Sequence, residues 1–236
     1  MTQTGSRPTR AAIVDRIVDH AADTRSLFLS LPDNAKLRFV PGQFISIAIK
    51  LPDETRTRPY TIASPSAEMP FEICFNRVPG GRGAEWLFER KLGDMIEFTG
   101  PYGTFTMDST PEAETIFLVE ETAIAPVRPM IHRAMGAVHA AMMLLHAASS
   151  QQHLIYRAEF ESFAARDRNF RFEPMVLQPS DIYPRLLAEA ERRWVTGDSD
   201  RSRQFYLCGV GKGVIALRDL LRGAGYERRS VHYEQW

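Results

Sequence analysis

The chain has 236 residues, 44% hydrophobic and 25% charged, a composition that fits a soluble globular protein with room for two cores of ordinary size. Lysine plus arginine balances aspartate plus glutamate at 29 each, so no overall field draws the protein to nucleic acid or an anionic membrane. Cys74 and Cys208 form no CxxC pair and the six histidines show no ligand spacing, so this chain alone builds neither a zinc site nor a cysteine-held iron–sulfur cluster.

The start, Met1 to Arg10, is polar and lacks the apolar core of a signal peptide. The longest apolar stretch, Ala137 to Leu145, is too short to span a bilayer and contains His139. A cytoplasmic location is therefore expected.

Residues 11 to 108 divide into short β segments: Ala11–Val18, Thr24–Leu31, Gln43–Lys50, Tyr60–Ala63, Phe71–Arg77 and Met95–Thr99. Pro41-Gly42, Pro79-Gly80-Gly81 and Gly100-Pro101 punctuate them, and Ala84 to Lys91 is a short helical candidate. This spacing predicts a small antiparallel β-barrel. From about Pro111 strands and helices alternate: strand Thr115–Val119, helix Pro126–Gly136, strand Ala140–His146, helix Ala158–Arg166, strand Phe170–Leu177, helix Ile182–Trp194, strand Gln204–Cys208, and helix Lys212–Arg222 closed by Gly223. A last edge strand is expected over Ser230 to Trp236. Such alternation predicts an α/β domain with a parallel sheet. The boundary falls near Asp108-Ser109-Thr110-Pro111, dividing the chain into 1–108 and 109–236.

Arg58-Pro59-Tyr60-Thr61 follows the apolar alternating run Phe44 to Leu51. An arginine offers forked donors for phosphate, a tyrosine a face for stacking, a threonine a hydroxyl for a ring heteroatom. Pro59 stiffens the segment. By itself the tetrapeptide also describes an ordinary turn entering a strand. Pro79-Gly80-Gly81-Arg82-Gly83-Ala84 runs into the helical candidate, and glycines there permit close approach of backbone amides to an anion. A flexible hairpin tip is the plainer alternative for that cluster.

Together with Gly100-Pro101-Tyr102-Gly103-Thr104-Phe105, these motifs resemble, in order, those of the ferredoxin reductase superfamily of flavoproteins. The resemblance implies a phosphate contact for Arg58, a ring stack for Tyr60 and a hydrogen bond near the flavin N5 for Thr61, with Pro59 between them. It also implies a pyrophosphate loop at Gly81, Arg82, Gly83 and Ala84, where Ala84 replaces the usual serine or threonine. Most relatives with this barrel use FAD and a minority FMN, so FAD is the expected cofactor. Trp236 corresponds to the terminal aromatic that covers the flavin in relatives, and a packing plug is the alternative. On the nicotinamide side the resemblance points to Thr122, Cys208 and Gly209, with Cys208 beside the nicotinamide ring. A small apolar core residue is the plainer alternative for Cys208.

The resemblance breaks where relatives carry Gly-Gly-Thr-Gly-Ile-Ala-Pro, because the matching stretch is Glu120-Glu121-Thr122-Ala123-Ile124-Ala125-Pro126. A carboxylate at ~4 Å from a phosphate charge costs about 1 kcal/mol with water-like screening and about 4 kcal/mol at an effective dielectric near 20. A penalty of that order weakens binding of a nicotinamide nucleotide roughly tenfold to a thousandfold. The alternative is that both glutamates face solvent or pair with Arg128 or another cation, which leaves the loop path intact. Ser149-Ser150-Gln151-Gln152 and Gln178-Pro179 supply no arginine for a 2′-phosphate, so tight NADP selectivity is not expected.

The expected function is an FAD-dependent oxidoreductase that moves electrons between NADH or NADPH and a separate ferredoxin, flavodoxin or other iron–sulfur protein. The competing expectation is the same fold with a lost or repurposed nicotinamide site, acting in electron transfer or partner binding. A plain interaction module without cofactor would require the barrel motifs to be coincidental.

Overall fold

The structure is a computed structural model that describes residues 8–32, 35–65, 69–107, 111–135 and 140–236. The first half contributes β1 (Arg10–Ala21), β2 (Thr24–Ser30), β3 (Phe44–Lys50), β4 (Thr55–Thr61), β5 (Phe71–Asn76), α1 (Arg82–Phe88) and β6 (Met95–Tyr102). Its strands pair antiparallel in the order β4-β3-β6-β1-β2-β5. Alternation on β3 explains which face turns inward, since Ile45, Ile47 and Ile49 are buried against Leu27, Leu29, Phe71 and Phe98. The edge strands β4 and β5 approach each other at the isolated bridge Ile62 to Ile73, so the sheet is barrel-like without closing.

Several boundaries in this half differ from the sequence expectation: β2, β3 and β5 by one residue, β1 by running on to Ala21, β6 by running through Gly100-Pro101 to Tyr102, and β4 and α1 as follows. β4 begins at Thr55 instead of Tyr60, because pairing of the whole segment with β3 outweighs its lack of apolar alternation. The hairpin is closed by the Leu51 amide donating to the Glu54 carbonyl at 2.8 Å. Helix α1 spans Arg82–Phe88 instead of Ala84 to Lys91, with Gly81 as its N-cap, so Gly83 lies in the first helical turn and Gly80 just before the helix.

The second half contributes β7 (Thr115–Glu120), α2 (Ile124–Ala134), β8 (Met142–Ala148), α3 (Arg157–Arg166), β9 (Phe170–Val176), α4 (Ile182–Trp194), β10 (Gln204–Gly209), α5 (Lys212–Gly223) and β11 (Val231–Gln235). All strands are parallel, in the order β11-β10-β7-β8-β9. β7 reads as a continuous apolar run because both of its faces are covered: Phe117 and Val119 pack with α2 and α3, Ile116 and Leu118 with α4 and α5. A turn of 3-10 helix over 121–123 precedes α2, so that helix starts before Pro126. At the end of α5, Gly223 is still helical, and the turn beyond it uses Gly225 at φ +97°.

The expected boundary at Asp108, Ser109 and Thr110, the helix end at Gly136 and His139 lie outside the described residues. No helix among the described residues is long and apolar enough to cross a membrane.

Polar contacts join the halves. Glu72 on β5 is buried and accepts from Ser26 Oγ at 2.5 Å, Tyr156 Oη at 2.7 Å and Arg128 Nη1 at 2.8 Å. Arg128, on α2, also donates to the Ala63 carbonyl at 3.1 Å and to Glu159 at 2.9 Å. A carboxylate this deep is tolerated only because its oxygens are occupied.

Candidate functional site

The pairing of β4 with β3 sets Pro59 opposite Ser46, Tyr60 opposite Ile45 and Thr61 opposite Phe44. A proline fits here because β4 is an edge strand. Helix α1 then lays its first turn against this segment. A methyl group added at Gly83 would stand 3.3 Å from Arg58 Cγ and 3.4 Å from Tyr60 Oη, so the missing side chain keeps a cradle open beside both residues.

That cradle belongs to a cavity of about 680 Å³ lined by Arg58, Pro59, Tyr60 and Thr61 and by Gly81, Arg82, Gly83 and Ala84. Thr122, Glu234, Gln235 and Trp236 line it from the second half, so both halves build its wall. Its size is that of a site for a cofactor-sized ligand. The structure thus brings together the Arg-Pro-Tyr-Thr and Gly-Arg-Gly-Ala residues singled out in the sequence, along with Trp236 and Thr122, while Pro79 and the motif from Gly100 to Phe105 do not line this cavity.

Their electrostatics differ. Arg58 donates to the Thr57 carbonyl at 2.9 Å, is exposed, and has no ion pair among the described residues, so its charge is available to a ligand. Arg82 is instead held by Asp53 at 2.5 Å and Glu54 at 3.2 Å. Its side chain is therefore partly neutralised, and the glycine loop offers mainly backbone amides. Burial pushes the Tyr60 phenol up to about 12, partly opposed by Arg58, and its ring meets Phe75 edge-on at 5.7 Å. Tyr60 consequently presents a neutral aromatic surface. Thr61 is buried at the inner end of the strand.

Cys208 is buried, pairs in register with Glu234, and is absent from the residues lining the cavity. Burial raises its thiol well above the ordinary range, with the neighbouring Glu234 charge adding to the effect. It is a thiol at neutral pH. Trp236 follows β11, donates its amide to the Gly209 carbonyl at 3.0 Å, and is 44% exposed at the cavity.

Glu234 lines the cavity without having been marked in the sequence. Burial raises its carboxyl to about 7, opposed by a hydrogen bond from Trp236, and its buried Oε2 has no hydrogen-bond partner among the described residues. A largely buried carboxyl on a residue that lines a cavity, raised to about 7, is a group able to hold or release a proton there. The available signal was a lone acid in the last strand, between Tyr233 and Gln235. Cys74, likewise given no role in the sequence, also lines the cavity.

Glu120 and Glu121 adopt neither arrangement of the simple alternative. Arg128 is engaged with Glu72 and Glu159 instead. Glu120 Oε2 accepts from Tyr183 Oη at 2.6 Å and from the Val210 amide at 3.1 Å. Glu121, at φ +45°, accepts through Oε1 from the Ser149 amide at 3.1 Å and the Ser149 hydroxyl at 2.5 Å. The reason is local: uncharged donors beyond β8 and β10 lie nearer to these carboxylates than any arginine. Thr122 is buried and donates to Asn76 Oδ1 at 3.4 Å across the halves.

Open glycine cradle, available arginine and neutral aromatic face together suit FAD. Comparison with known proteins supports the same assignment. Residues 11–107 match the oxidoreductase FAD-binding domain and residues 122–216 the oxidoreductase NAD-binding domain, the second match beginning directly after Glu120-Glu121. Ferredoxin–NADP reductase B of Sorangium cellulosum is 30% identical over 222 residues, covering 90% of this chain and 91% of that protein. The glycine betaine monooxygenase reductase subunit of Pseudomonas aeruginosa is 28% identical over 240 residues, and this chain covers 66% of its length. Among solved structures, the Amycolatopsis cytochrome P450 reductase GcoB superposes with a TM-score of 0.81 at 26% identity, over 98% of this chain and 71% of that one. The chain belongs to the ferredoxin reductase-like superfamily of FAD-binding oxidoreductases.

Proposed function

We propose that this protein passes electrons between a nicotinamide nucleotide and a protein electron carrier through FAD, with residues 1–108 forming the flavin domain and 109–236 the nucleotide domain. The observation that carries this reading is the shared cavity, which sets Arg58, Tyr60 and Thr61 opposite Trp236 and Glu234. FAD, when bound, supplies the redox chemistry that links two-electron and one-electron partners. The chain's residues bind and orient it: Arg58 neutralises a phosphate, the amides of Gly81, Gly83 and Ala84 approach the diphosphate, Tyr60 stacks, and Thr61 hydrogen-bonds the ring edge. Glu234 holds a proton at the cavity wall near neutral pH, and Cys208 packs behind it.

The carrier is a ferredoxin or other iron–sulfur protein, or a flavodoxin, in a separate chain. Support comes from the relatives' names, a ferredoxin reductase and an oxygenase reductase subunit. A cytoplasmic location fits this role.

A second reading, that the nicotinamide site is lost or repurposed, is favoured by the hydrogen-bonded Glu120. The purified protein should be yellow and release FAD on denaturation; a colourless protein that takes up no FAD overturns the flavin assignment. Anaerobic mixing with NADH and NADPH then separates the two readings. Bleaching at micromolar nucleotide supports nicotinamide use, and an unbleached flavin supports the second reading.

A further inference from the structure

The strand order β11-β10-β7-β8-β9 reverses its direction of growth between β7 and β10. In open α/β sheets the crevice beyond the C-terminal ends of two such strands is where ligands bind. Here that crevice holds the chain's own side chains. Glu120 ends β7 and reaches across to the Val210 amide beyond β10, while Tyr183, in the first turn of α4, donates to the same carboxylate oxygen.

The tyrosine sits in a slot cut for it. A methyl group at Gly213 would overlap the Tyr183 ring, and one at Gly209 would overlap its hydroxyl and stand 3.0 Å from Glu120 Oε2. Tyr183 is half-buried and its phenol is raised by burial and then by Glu120, so it remains a neutral donor. On the other flank, Glu121 occupies the Ser149 amide and hydroxyl beyond β8. Donors beyond both strands that flank β7 are thus engaged by internal carboxylates, which stand where a dinucleotide would bring its own negative oxygens.

We infer that Glu120 and Tyr183 form a clasp that occupies the diphosphate position of the crevice and sets the affinity for nicotinamide nucleotides: a dinucleotide enters only by displacing the Tyr183 ring and breaking both bonds to Glu120. The inference rests on the nucleotide role proposed for this half. It makes Tyr183 a specificity-determining residue with no part in the flavin cavity.

Removing the clasp should increase binding, which loss of a merely structural contact does not do. Calorimetric titration of the full chain with NADH and with NADPH, loaded with FAD and free of it, compares wild type with Tyr183→Ala, Tyr183→Phe and Glu120→Gln. Charge-assisted hydrogen bonds of this kind correspond to about tenfold to a hundredfold in Kd, so Tyr183→Ala and Glu120→Gln should tighten binding by about tenfold or more. Tyr183→Phe, which keeps the ring and loses the bond, should gain less than Tyr183→Ala. Flavin content and far-ultraviolet dichroism establish that the variants are folded, and Tyr183→Phe with Glu120→Gln carry the test should the alanine variant unfold. Unchanged or weaker binding in both of those variants overturns the clasp. A flavin that stays oxidised in every variant despite tightened nucleotide binding instead overturns the electron-transfer role and leaves the clasp standing.

Discussion

Arg128 Nη1 donates to Glu72 at 2.8 Å, joining helix α2 of the parallel half to strand β5 of the antiparallel half at a point where Glu72 is 1% exposed. The same guanidinium reaches the Ala63 carbonyl and Glu159, and Glu159 also bonds His132. One arginine therefore satisfies groups from both halves of the chain.

Replacing Arg128 with Met should destabilise the protein by about 3–5 kcal/mol, because it leaves the Glu72 carboxylate buried without its cation. Adding Glu72→Met should recover part of that loss, since the uncompensated charge disappears with it. Urea unfolding of the two single variants and the double variant checks this. Additive losses would show that the pair is energetically uncoupled.

Glu234 gives stability a distinctive pH dependence. Its carboxyl is raised in the folded protein from 4.5 to about 7. The folded state thus holds a proton that the unfolded chain releases, and the associated stability, complete below pH 4.5, is lost as pH rises through 7. Glu234→Gln should remove this slope and, relative to wild type, stabilise the protein by up to about 3 kcal/mol at pH 8 compared with pH 4.5. Unfolding curves at both pH values measure the difference.

His146 works in the opposite direction. Burial lowers its imidazole from 6.5 to about 4, against the opposing hydrogen bond with the Glu121 carbonyl. The unfolded chain takes up a proton before the folded protein does, so stability present above pH 6.5 is lost as pH falls towards 4. His146→Gln should flatten the acid limb of a stability profile, and an acid limb identical to wild type would exclude His146 as its source.

Gly83→Leu should empty the proposed flavin site without unfolding the chain. The new side chain would project into the space beside Arg58 Cγ and Tyr60 Oη while sitting in a helix that tolerates leucine. FAD affinity should fall by about tenfold or more, the equivalent of roughly 1.4 kcal/mol, as read from flavin content and fluorescence titration. Arg58→Met should weaken FAD binding by a similar order, with Arg58→Lys intermediate because it keeps charge but loses the fork.

The architecture was legible because its signals are local. Period-two alternation at Ile45, Ile47 and Ile49 and the apolar run of β7 each reported which faces are covered. β4 was shortened in the sequence reading because Thr55 to Pro59 are exposed and carry no alternation; their strand conformation comes from pairing with β3. The first-half wall of the cavity was readable from adjacent residues in two motifs. Glu234 and Tyr183 were not, since each acquires its meaning from partners far away in the chain: Cys208 across the β10–β11 register, and Glu120 across 63 positions.

Pro59 has a consequence outside the cavity it lines. β4 is an outer strand whose residues from Thr55 to Pro59 are exposed, and a proline there has no amide to offer a further strand. Arg56 and Arg58 add charge along the same edge. The segment that shapes the cavity therefore also guards the sheet's open margin against recruiting a strand from another copy, so replacing Pro59 by a good β-former would risk self-association even where the cavity survives.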